Sequence, residues 1–144
     1  MLRRAFISAL PVTLLAGPSL AAGAPPKEKA AGGQYVDISP VALPVVARDL
    51  VVNYIFVAVR LNLSQVANIQ KLREREPFFR DALVRAGHRT PFTSKEDYLS
   101  LDVARLKAVM LKEAVRLGGK DIQSVSVMSQ TAKRRTGVPK PPSA

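Results

Sequence analysis

The chain has 144 residues, with 22 Lys and Arg against 11 Asp and Glu, one His, no Cys and no Trp. That length fits one domain, and 47% hydrophobic with 23% charged residues excludes wholesale disorder. Without Cys there is no disulfide, thiolate metal site, cysteine nucleophile or lipidated cysteine, so the core alone must hold the fold.

Residues 1–24 place Arg3 and Arg4 ahead of a stretch, 5–24, that carries no charge and ends in small residues. This is the layout of an export signal. Arg3-Arg4-Ala5-Phe6-Ile7 is similar to the twin-arginine pattern, although an arginine pair there also serves as simple positive-inside charge. Ser19-Leu20-Ala21 offers a cleavage site. An uncleaved membrane anchor is the alternative, since 20 uncharged residues reach the length of a bilayer span. Pro11, Gly17, Pro18 and Gly23 would make that span a poor helix.

Residues 25–33 (PPKEKAAGG) read as a linker, and 132–144 (AKRRTGVPKPPSA) as a disordered basic tail that adds nothing to stability. The folded part is then 34–131, with 14 basic and 10 acidic residues. Most of the basic excess falls outside it, which argues against a nucleic-acid groove.

Within the fold, Tyr35 to Ser39 is a short extended run closed by Pro40. Leu50 to Leu63 is the strongest strand, rich in β-branched and aromatic residues. Apolar residues on both its faces predict a central strand buried on two sides in its first half, Phe56 included. Ser64 is expected to cap a helix whose stripe runs Val66, Ile69, Leu72, Phe79, Leu83 and Ala86. Pro77 interrupts it, and because the apolar phase continues across it the segment reads as one kinked helix, with two abutting helices as the alternative. Gly87 ends it. Ser94 to Asp97 suggests one helical turn, and Asp102 to Leu117 a helix stopped by Gly118-Gly119. Ile122 to Gln130 alternates as a last strand. The order β-β-α-(α)-α-β predicts an α+β fold, with helices packed on one face of a small antiparallel sheet.

Chemistry-bearing patterns are sparse. His88, the one histidine, reads as a loop residue after a helix end. Glu96-Asp97 favours a helix start rather than an ion site. Gly32-Gly33 and Gly118-Gly119 lack phosphate-loop context. Arg73-Glu74-Arg75-Glu76 reads as a solvated helix face. No catalytic residue, metal ligand or cofactor is assigned.

The order of segments from Tyr35 to Gln130 resembles the periplasmic domain of the flagellar basal-body-associated FliL family. The matching features begin with a short extended start, Tyr35-Val36-Asp37-Ile38, and a long strand, Tyr54 to Val59. A proline then precedes an Arg-Asp-Ala-Leu run, here Pro77-Phe78-Phe79-Arg80-Asp81-Ala82-Leu83. A Thr/Ser-rich loop over Thr90 to Tyr98, a helix with Leu106-Lys107 and a closing strand from Val125 complete the series.

The resemblance implies a stomatin/prohibitin-like fold and no enzyme activity. It also implies a periplasmic, membrane-associated protein that forms homo-oligomers, binds a flagellar stator or basal-body protein and modulates motility. Members of that family carry a membrane-spanning helix where this chain has a signal-like segment. The exposed side of 65–86, with Arg73, Arg75 and Arg80, is the expected partner surface. An alternative function is a general envelope module whose basic tail contacts anionic lipid or another polyanion.

Overall fold

The computed structural model describes residues 33–143. The export signal with Arg3 and Arg4, and nearly all of the linker, lie outside the described residues. The fold is α+β: strands β1 (Tyr35–Ala47), β2 (Leu50–Leu63) and β3 (Ile122–Ala132), with helices α1 (Ile69–Glu74), α2 (Glu76–Arg89) and α3 (Val103–Gly118) between β2 and β3. The sheet is antiparallel in the order β1-β2-β3, so the expected central strand is central.

β1 and β2 form a hairpin whose two turn residues, Arg48 and Asp49, both have positive φ (51° and 60°). Two-residue hairpin turns need that geometry because its twist matches the strands. β1 is longer than its sequence suggests. Pro40 does not end it but sits in a bulge between Ile38 and Val41, and pairing resumes at Val41↔Val57. An edge strand tolerates proline because a missing N–H there breaks no ladder bond.

One face of the sheet carries the core. Ile38, Leu43, Val45, Ile55, Val57, Val59 and Leu61 pack against Leu72, Phe79, Leu83, Leu106, Met110 and Ala114 from the helices. The opposite face is open. β2 is therefore buried on one side only, and Phe56 is 45% exposed where burial was expected. A sheet of antiparallel strands can leave one face to solvent, and the two-sided apolar pattern of β2 did not reveal which face was covered.

The helical segment is not one kinked helix but two abutting ones, divided at Arg75. Pro77 lies in the first turn of α2, where its missing N–H costs nothing. The helix begins later than expected: Asn68, not Ser64, is the cap, its Oδ1 accepting from the Lys71 N–H at 3.0 Å. Ser64 instead donates its N–H to the Asp121 carbonyl at 2.8 Å. Gly87 does not end α2, which continues to Arg89. A Cβ at Gly87 would stand 2.8 Å from Leu43 Cδ2, so glycine there allows a close helix–strand approach. α3 starts at the Asp102 cap and stops at Gly119, with φ 84°, as the glycine pair predicts.

Candidate functional site

The three arginines singled out in the sequence do not form one cluster. Arg75 lies in the α1–α2 junction, where its Nη1 donates to the Leu117 carbonyl at 2.6 Å and ties the junction to the end of α3. Arg73 on α1 and Arg80 on α2 are exposed, and Arg80 stands beside Pro40 to Ala42 of β1. The Arg73–Glu76 run is thus more than a solvated face. Glu76 accepts the Ser39 N–H at 2.8 Å, pinning the β1 bulge to α2.

Two surfaces stand out. The first is the open sheet face, where Tyr35, Tyr54, Phe56 and Met128 are all exposed. Its polar end is organised by Arg60, which donates to both Asp37 oxygens at 2.6 and 2.9 Å and lies 3.7 Å from the Tyr35 ring centroid. The hydrogen bond to Asp37 raises the Arg60 guanidinium above its ordinary value, against the opposing effect of desolvation. A shallow hollow of about 310 Å³ lies between Arg60, Pro40, Ala58 and Met128. The β1 bulge and the Ala58/Val59 register shift both border it.

The second surface is the outer side of the helices. A groove of about 510 Å³ runs between α2 and α3, with Phe78, Arg85, Arg89 and Arg116 along it and Ala82 and Ala86 beneath. Phe78 is 63% exposed while its neighbour Phe79 is fully buried. Helical periodicity could have flagged this, since adjacent aromatics cannot share one narrow buried stripe. Asp81 pairs with Arg85 at 2.8 Å and Glu113 with Arg116 at 2.6 Å.

The connection from α2 to α3 contains no helical turn at Ser94–Asp97, contrary to expectation. Asp97 Oδ1 instead accepts from the Leu99 N–H, the Ser100 N–H and the Ser100 hydroxyl at 2.8–2.9 Å. Partial burial pushes the Asp97 carboxyl up, but these three donors outweigh it and hold it below the usual carboxylate range. The Thr93 hydroxyl closes the same connection onto β1, accepting from the Val46 N–H and donating to the Val46 carbonyl, both at 3.0 Å.

His88 lies in the last turn of α2 rather than in a loop. It is exposed, and its Nδ1–H donates to the Val84 carbonyl at 2.8 Å. Among the described residues no group of three or more His, Asp or Glu side chains could hold a metal ion, and no helix is long and apolar enough to cross a membrane. The basic C-terminal segment is fastened at its start. β3 runs one residue into it, to Ala132, and the Lys133 N–H donates to the Tyr54 carbonyl at 2.8 Å. No protein-family model matches the chain, and comparison with curated proteins gives no match either.

Proposed function

We propose that the chain is a non-enzymatic, periplasmic FliL-like protein that associates with a flagellar stator or basal-body protein and modulates motility. The observation that supports this reading most is the order of elements. Two strands, a short helix, a helix with proline in its first turn, a third helix and a closing strand run in the order on which the resemblance rests, without the short turn expected at Ser94–Asp97. The half-covered sheet fits a binding role: it exposes aromatic side chains on a rigid platform, a chemistry suited to contact with another protein.

Deleting the gene and measuring spread in soft agar tests the reading, together with pull-down of the tagged exported form. Altered motility and recovery of a stator or basal-body protein support it. Unchanged swimming and swarming with no flagellar protein recovered overturns it and leaves the envelope-binding alternative.

A further inference from the structure

The charges of the fold are sorted by layer. Across the three strands only Asp37 and Arg60 are charged, and they neutralise each other. The segments α1 to α2, with Arg75 between them, and α3 carry ten basic residues against four acidic. Those four acids are already engaged. Asp81 and Glu113 hold Arg85 and Arg116, Glu76 takes the Ser39 N–H, and Glu74 accepts from Gln70 Nε2 at 3.2 Å. Lys71, Arg73, Arg80, Arg89, Arg105 and Lys112 have no acidic partner among the described residues. Unpaired cations spread over three helices are a layer-wide excess, and Phe78 is exposed beside Arg89 at the α2–α3 groove.

We propose that the outer face of the helical layer docks on an anionic phospholipid surface, with Phe78 entering the headgroup region and the unpaired cations meeting lipid phosphates. Two observations favour a bilayer over an acidic protein. The cations come from separate helices, and a deformable headgroup layer can meet them together. The large apolar side chains exposed on this layer, Phe78 and Val115, are single projections rather than the clustered apolar centre that a protein interface needs. Basic residues and an aromatic on a helical face are sufficient for peripheral attachment. The surface is distinct from the basic C-terminal segment and does not depend on the flagellar reading.

The test is co-sedimentation of the full chain with vesicles of phosphatidylcholine alone and of phosphatidylcholine mixed with phosphatidylglycerol. Comparing the two removes the apolar contribution of the N-terminal segment, and the charge of Arg3 and Arg4 is common to the unaltered chain and its variants. The expected result is a preference for the phosphatidylglycerol vesicles that weakens with salt. Replacing Arg89, Arg105 and Lys112 together by Ala should cut that preference by about two orders of magnitude. Phe78→Ala should weaken binding further at high salt, where the charge contribution is screened. These side chains are exposed, and an unchanged urea midpoint confirms that the variants fold.

Neutralising Lys133, Arg135 and Lys140 supplies a comparison of equal charge. A loss there as large as that of the helical variant would overturn the proposal in favour of the C-terminal segment. Absence of any phosphatidylglycerol preference also overturns it. So does a helical variant that lowers retention of a duplex DNA or an acidic peptide while leaving vesicle binding unchanged.

Discussion

Asn53 and Arg134, 81 residues apart, exchange two hydrogen bonds of 3.0 Å: the Arg134 N–H donates to Asn53 Oδ1, and Asn53 Nδ2 donates to the Arg134 carbonyl. Asn53 is the one buried polar side chain among the described residues, and its Nδ2 also donates to the Tyr98 carbonyl at 3.0 Å. One amide thus holds β2, the start of the C-terminal segment and the α2–α3 connection together.

The first prediction follows from that clasp. Asn53→Ala removes the side-chain partner of the part-buried Tyr98 carbonyl and of the Arg134 N–H and carbonyl, and should cost about 1–3 kcal/mol in all. Truncation before Ala132 should be destabilising for the same reason, whereas truncation after Arg135 should be close to silent. The expectation that the whole of 132–144 is dispensable therefore changes. Urea unfolding of the two truncations decides it: equal midpoints would show that the clasp contributes nothing.

The second concerns which apolar residues form the core. Leu83 is 1% exposed, so Leu83→Ala should cost about 2–5 kcal/mol. Phe56 stands on the open face, and Phe56→Ala should cost under about 1 kcal/mol. Guanidinium denaturation of both variants measures the difference. A Phe56 loss matching that of Leu83 would mean that the open face is covered in solution.

The third concerns the hairpin turn. Arg48 and Asp49 both occupy the left-handed region, which residues with a Cβ enter at a cost of roughly 1–2 kcal/mol. Replacing the pair by Asn-Gly removes much of that cost and should raise stability by about 1 kcal/mol. A thermal midpoint that fails to rise would show that the turn relaxes in solution.

The fourth is a pH dependence. The Asp97 carboxyl titrates below its unfolded value of about 3.9. A depressed native value contributes stability that is complete above the unfolded value and is lost as pH falls through the native one. Asp97→Asn should therefore cost about 1 kcal/mol at neutral pH, and the gap should close at acid pH, where the native carboxyl is itself neutral. Urea midpoints at neutral pH and below the native value test this; a gap independent of pH would place the effect elsewhere.

Much of the architecture was legible because it rested on local pattern. β2 runs from Leu50 to Leu63 as expected, since an unbroken β-branched and aromatic run has no competing period. α3 was bounded by a capping aspartate and a glycine pair. The misses depended on partners distant in sequence. Pro40 looked like a strand end because only the Glu76 contact, 37 residues away, shows the bulge to be held in place. Phe56 looked buried because alternation cannot say whether a second layer exists. Arg75 looked solvated because its acceptor, the Leu117 carbonyl, is supplied by another helix. The open sheet face likewise became visible only once the helices were placed.

The contacts that Thr93 and Glu76 make with β1 also govern how this sheet can grow. On that edge Pro40 and Pro44 offer no N–H, the Ser39 N–H is taken by Glu76, and both backbone groups of Val46 are taken by the Thr93 hydroxyl. An incoming strand finds few free partners there, whereas β3 contains no proline and leaves most of its outer ladder open. Strand addition is therefore directed to one side of the molecule.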